Sequence, residues 1–221
     1  MSDAAYRTIA RAAETEIEVS RSRFRCRLER VATEVRARAV VDAARREHRD
    51  ARHHCSAFLL GPPPQLVERS SDDGEPAGTA GAPMLEVLRG AGTPAEPFAD
   101  VVAVVTRWFG GTLLGAGGLV RAYGDAVRAA LDVAGTRRRE LLRELEVEVD
   151  HAGAGRLESG LRAHDVAVLD QAYAARVTLR VGVPTGSVDA LHALVAELTG
   201  GTAEALGAGE RWVDRGQVDR R

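Results

Sequence analysis

The 221-residue chain is 45% hydrophobic and 28% charged with a formal net charge of −2, a composition that suits one large or two small domains, each with its own core. All 30 basic residues are arginine, and lysine and asparagine are absent, which excludes Schiff-base chemistry and a Walker-type phosphate lysine. Cys26 and Cys55 make no disulfide framework and read as buried free thiols; with no apolar run of about 18 residues and no hydrophobic centre in the first residues, MSDAAYRTIARAAE, the expectation is a soluble, cytoplasmic protein without a membrane partner.

Residues 1–13 read as a short helix or frayed arm, with structure proper beginning near Glu14. Ile17 and Val19, then Phe24, Cys26 and Leu28, alternate with charged neighbours, which predicts two half-buried strands turning near residues 20–22. Arg21, Arg23, Arg25 and Arg27 share one face of that pair. Thr33 is placed to cap an amphipathic helix over 35–48, with Ala39, Val40 and Ala44 at helical spacing. Residues 20–52 hold 11 arginines against five acids. Such an excess suits phosphate groups or simply a solvated helix face and strand edge.

A strand is predicted over His53–Leu60, closed by Gly61 and three prolines that cannot continue a ladder. Alternation sends His53 and Cys55 to one face and His54 to the other. The cluster invites zinc, but no second Cys or His pair stands at zinc-site spacing, so the strand carries one functional histidine at most. The stretch over 68–81, ERSSDDGEPAGTAG, follows as a polar loop with turn signals at Asp73-Gly74 and Glu75-Pro76. It concentrates Arg69, Ser70, Ser71, Asp72, Asp73 and Glu75, and Thr79 is placed to cap a helix over 82–88 with Pro83 in its first turn. The three carboxylates are spaced to share a hard cation or to accept hydrogen bonds from the loop's own N–H groups.

A near-continuous apolar run over 101–109, VVAVVTRWF, reads as a strand buried on both faces. It turns through Gly110 and Gly111, and after Gly115, Gly117 and Gly118 a helix begins whose Leu119, Tyr123, Val127 and Leu131 form one buried stripe. Gly135 is placed to end it. Strand, glycine loop and helix N-terminus together offer N–H groups and a positive dipole end to a phosphate-bearing ligand; the alternative is a tight turn under a packed helix.

The two motifs ERSSDDGEPAGTAGAPMLEVL and VVTRWFGGTLLGAGGLVRAYGDAV, with His54 and Cys55 on the preceding strand, resemble the signature of the IMPACT family and its bacterial, YigZ-like branch. The likeness spans residues 14–134. It implies an α+β fold for residues 14–135 like the second domain of a small-subunit ribosomal protein and the fourth domain of the translocation factor, a fold also similar to that of galactose- and homoserine-type kinases. Eukaryotic relatives act in translational control by competing for the activator of the amino-acid-starvation kinase. The family has no agreed catalytic residues, so the resemblance implies a functional theme and no reaction.

A boundary is expected near residues 136–140, TRRRE. Beyond it Leu145, Val147 and Val149 alternate with glutamates, Leu157 and Leu161 mark a helix, residues 166–169 and 175–183 read as strands, and Leu191, Leu194, Val195 and Leu198 mark a second helix. A last strand, over 202–206 or near Trp212, completes a smaller ferredoxin-like β-α-β-β-α-β domain over 140–213, like the second domain of the bacterial relatives, with a disordered tail over 214–221. His151, His164 and His192 read as surface or packed histidines.

Two functions follow. One is a non-enzymatic, translation-associated protein that meets a ribosome, RNA or a translation factor through Arg69, Arg107, Arg121 and the basic 20–52 surface. The other is a phosphoryl-transfer or hydrolytic enzyme, with phosphate on the 110–118 loop and Mg²⁺ on Asp72, Asp73 or Glu75. In a third reading both polar loops are architectural, packed on each other through Arg69 or Arg107 carboxylate pairs. No cofactor motif is present, no base is paired in sequence with Ser70 or Ser71, and the oligomeric state is left open.

Overall fold

A computed structural model of the chain describes residues 4–219, with side chains to residue 215. It separates into two compact units, one built mainly of Ala5–Arg139 and the other mainly of Glu140–Asp214.

In chain order the first unit contains β1 (Ala5–Ile9), β2 (Ala13–Val19), β3 (Ser22–Arg30), α1 (Glu34–Glu47), β4 (His53–Leu60), β5 (Val67–Ser71), α2 (Gly81–Arg89), β6 (Val101–Trp108) and α3 (Gly115–Ala134). Its sheet runs β2-β3-β6-β4-β5, with every neighbouring pair antiparallel. Strand β6 is central, and this explains its unbroken apolar sequence: Val101, Ala103 and Val105 pack with α2 and α3, whereas Val102 and Val104 pack with α1. A strand covered on both faces has no polar side to alternate with. Helix α3 buries Leu119, Tyr123, Val127 and Leu131, and Gly135, at a φ of 62°, ends it. Thr33 caps α1 by accepting from the Arg36 N–H.

Four local expectations are corrected. Residues 5–9, expected as helix or arm, are strand β1, which pairs with the strand that follows α3, exchanges Arg7 N–H to Pro97 O and Ala99 N–H to Arg7 O, and buries Tyr6 and Ile9; residues 1–3 lie outside the described residues. The buried residue of the first turns of α1 is Ala37 instead of Ala39. Residues 67–71 are the edge strand β5, held by β4 in the register Ser56↔Ser71, so the loop proper starts at Asp72. Thr79 does not cap α2: its hydroxyl donates to Pro76 O.

The second unit contains β7 (Thr136–Val149), which begins in the first, then α4 (His151–Ala163), β8 (Ala167–Tyr173), β9 (Val177–Val183), α5 (Val188–Thr199) and β10 (Ala205–Asp219). The five-stranded sheet runs β1-β7-β9-β8, with β10 also paired to β7, and β7 to β10 with the two helices make a β-α-β-β-α-β unit in a mixed α+β chain. Leu145, Val147 and Val149 of β7 pack with Val177, Leu179 and Val181 of β9, and with Leu157, Leu161, Leu191 and Val195 of the helices. Residues 136–140 are part of strand β7, and the division between the two units falls inside it, between Arg139 and Glu140. The expected tail likewise continues β10 through Asp219; residues 220 and 221 lie outside the described residues. His151, His164 and His192 are exposed.

Candidate functional site

Four connections meet at one end of the first unit's sheet: the β2–β3 turn, the α1–β4 segment, the β5–α2 loop and the β6–α3 loop. They are tied to one another by specific contacts. Gly110 N–H donates to Ser22 Oγ at 3.1 Å, and Arg21 donates to Thr112 Oγ1 at 2.8 Å. A Cβ on Gly110 would lie 2.0 Å from the Arg21 carbonyl carbon and oxygen, so glycine is required there by backbone approach. Gly111 and Gly115 take φ of 84° and 66°, values that a side chain disfavours.

Each carboxylate of the β5–α2 loop has a separate task. Asp72 Oδ2 accepts from Gly78 N–H at 2.8 Å, and its Oδ1 accepts from Ala80 and Gly81 N–H at 3.0 and 2.8 Å. It thereby satisfies the N-terminus of α2 in place of an adjacent cap. Burial raises the Asp72 pKa, but these three donors outweigh it and hold the carboxyl below its ordinary value. Asp73 accepts from the His54 backbone N–H at 2.7 Å and from Arg45 at 2.6 Å. Glu75 is buried and accepts from Arg107 at 2.6 Å and from the Tyr123 hydroxyl at 2.8 Å. Each carboxylate thus has its own donors within the protein; among the described residues no group of three or more metal-ligating side chains occurs.

Glu75 is thus the bond between the two polar loops, since Arg107 is the penultimate residue of β6 and Tyr123 lies two turns into α3. Arg107 is correspondingly not a surface group. Its side chain is 7% exposed, lies over the Phe24 and Phe109 rings at 5.4 and 5.6 Å, and leaves its buried Nε without a partner. The Cys55 thiol donates to Asp72 O at 3.0 Å, 3.3 Å from the Tyr123 hydroxyl. Burial pushes that thiol up to about 12, so it is no nucleophile near neutral pH. His53 and Cys55 do share a face, and His53 Nδ1 contacts Asp73 O at 2.8 Å.

On the opposite face His54 is buried, and its ring bonds Thr106 Oγ1 at 3.1 Å. Burial lowers its pKa against the opposing pull of Asp73, which favours a neutral imidazole. Ser70 and Ser71 are exposed on the edge strand, and Ser71 Oγ accepts from Asp73 N–H; no base is bonded to either hydroxyl. Arg69 is exposed and donates to the neighbouring Glu68 O, so it joins neither loop to the other. Arg121 is exposed on α3.

The basic stretch is largely neutralised. Arg25 and Arg27 pair with Glu14, Glu16 and Glu47, Arg38 with Glu34, and Arg45 with Asp73. Among the described residues Arg36, Arg46, Arg49 and Arg52 are exposed and make no ion pair. In the segment that carries Arg49 and Arg52, Asp50 accepts from the Trp108 indole N–H at 2.8 Å; the Arg23 guanidinium lies over that ring at 4.6 Å, and His48 meets its edge. Phe109 and Leu113 are 53% and 88% exposed. Tyr123 and Trp108 had been legible only as apolar positions; their polar tips are the missed signal, because a buried hydroxyl or indole N–H needs a partner.

These features define an α+β protein of two units, whose first unit gathers polar loops and unpaired arginines at one sheet end. The model of the Impact N-terminal domain matches residues 20–131, and that of a domain of unknown function, DUF1949, matches residues 147–202. The chain is 38% identical to IMPACT family member YvyE of Bacillus subtilis (strain 168), over 90% of its own length and 89% of the relative's. It is 40% identical to IMPACT family member YigZ of Escherichia coli (strain K12), over 86% and 91% of the two chains. A solved structure described as that of an hypothetical protein shares 36% identity at a TM-score of 0.61, covering 96% of this chain and all of that one. The chain belongs to the IMPACT family.

Proposed function

We propose that the first unit is a non-enzymatic, translation-associated binding module that engages ribosomal RNA through its phosphate backbone. The observation that carries this reading is the set of exposed, unpaired cations Arg46, in the last turn of α1, and Arg49 and Arg52, between α1 and β4, in a segment whose Asp50 accepts from Trp108, the neighbour of the exposed Phe109. Cations without intramolecular partners are free to displace counterions from phosphates, and an exposed aromatic ring offers a face to an unstacked base. The rival reading of phosphoryl transfer is weaker, since Asp72, Asp73 and Glu75 are each engaged by the protein's own donors. The theme of translational control comes from the family resemblance; the arginines supply the chemistry.

Co-sedimentation of the full chain with ribosomes across a salt series tests it. Binding is expected at low salt and falls steeply as salt rises. The triple change Arg46→Gln, Arg49→Gln, Arg52→Gln removes most of it while leaving thermal unfolding unchanged. A wild-type distribution at low salt identical to that of an inert soluble protein overturns the reading.

A further inference from the structure

A second feature of the first unit lies on the other face of the sheet, away from α1. Helices α2 and α3 leave an open groove between them of about 590 Å³, within the size range of small-molecule sites. Its walls are chiefly apolar: Pro83, Val87 and Ala91 from the α2 side, Val120 and Leu131 from α3. Gly124, on the buried face of α3, forms the floor.

The polar groups are unevenly placed. Arg121, Gly124 and Arg128 fall at i, i+3 and i+7 of α3, so two guanidinium groups flank a position without a side chain on one helix face. Arg121 has no partner among the described residues and is exposed. Arg128 folds back over the glycine, its Nη2 lying 3.2 Å from where a Gly124 Cβ would stand, and donates to Asp125. Of the two acids lining the groove, Glu86 is engaged by Arg89. Asp132 lies 11 residues beyond Arg121, about 16 Å along the helix, which leaves the Arg121 end positive.

We propose that this groove binds a small amphipathic anion. Its carboxylate or phosphate sits between Arg121 and the Arg128 guanidinium that covers Gly124, and its apolar body, the size of a six- to eight-carbon chain, lies along Val87, Val120 and Leu131. Arg121, free of internal partners, gives up no ion pair when it receives the anion, and the glycine lets the Arg128 guanidinium lie against the helix. Carboxylate and phosphate head groups share this chemistry.

Isothermal titration of the full chain with octanoate, octyl phosphate, octanol and octylamine tests the site. Octanoate or octyl phosphate, or both, bind saturably at one site, and whichever is tighter names the head group. Octanol and octylamine bind at least about tenfold more weakly, the difference that a charge-assisted contact makes. Arg121→Glu, a surface change with no partner to strand, weakens anion binding by about tenfold or more, Arg121→Lys retains most of it, and both melt as wild type does. Equal binding of octanol or octylamine, undiminished affinity in Arg121→Glu, or no saturable heat with either anion overturns the proposal. Arg46, Arg49 and Arg52 do not line the groove, so the triple change Arg46→Gln, Arg49→Gln, Arg52→Gln, which removes most ribosome sedimentation, leaves octanoate and octyl phosphate titrations as in wild type, and the two readings fail separately.

Discussion

Replacing Glu75 by Ala strands the Arg107 guanidinium in the position where it is least able to find water. The pair is 7% and 4% exposed at its two side chains, Arg107 Nε is already unpartnered, and the flanking rings of Phe24 and Phe109 offer only their faces. Removing one member of a buried pair costs about 3–5 kcal/mol, because the remaining charge stays desolvated. Removing both charges behaves differently. In Glu75→Leu/Arg107→Met no ion is left behind, and the residual cost is that of the Tyr123 hydroxyl, which loses its Glu75 acceptor, about 1–2 kcal/mol. Urea unfolding followed by Trp108 fluorescence, in a Trp212→Phe background so that the signal reports the first unit, measures all three proteins. A single variant within about 1 kcal/mol of wild type, or a double variant less stable than the single, would refute the account of Glu75 as the tie between the loops.

Asp72→Ala should cost about 1–2 kcal/mol at pH 7, the range of a lost helix cap. Since the folded carboxyl titrates below its ordinary value, its contribution is present above the unfolded value of about 3.9 and is lost as pH falls through the folded one; urea midpoints of wild type and variant should converge at low pH. Gly110→Ala and Gly124→Ala should move thermal unfolding in opposite directions. The first sets a methyl 2.0 Å from Arg21 backbone atoms that cannot yield and should destabilise by more than about 2 kcal/mol. The second meets only the flexible end of Arg128 at 3.2 Å and removes a mid-helix glycine, a gain of about 0.5–1 kcal/mol. Equal shifts would contradict the distinction between backbone and side-chain neighbours.

What the sequence displayed was whatever a local period or a neighbouring residue controls. The Leu119–Tyr123–Val127–Leu131 stripe, the Thr33 cap and the turn between β2 and β3 all fall in that class. Strand β1 did not, because its conformation depends on β7 and on Pro97 and Ala99, all distant in sequence, and Tyr6 and Ile9 three apart suit a helix equally well. Strand β5 was hidden for a related reason: VERSS has no alternation of its own and is extended because β4 pairs with it. The candidate site was legible as a set of residues and illegible as a set of partners. A window over residues 20–52 counts arginines but omits Glu14 and Glu16, which β2 lays directly beside them. Arg107 reads as a recognition group until its strand carries it under Phe109 to Glu75.

The reach of Asp72 has a practical corollary for engineering the chain. Residues 76–78 are exposed, and exposed loop tips are the usual choice for inserting a tag or a new terminus. Here the carboxylate spans that segment to hold Gly78, Ala80 and Gly81, so added length between them would detach the start of α2 from its anchor. Accessibility to solvent and tolerance of insertion part company at this loop. The turn at Ser20 and Arg21 is closed to insertion by the same logic, because the backbone of Gly110 is seated against it.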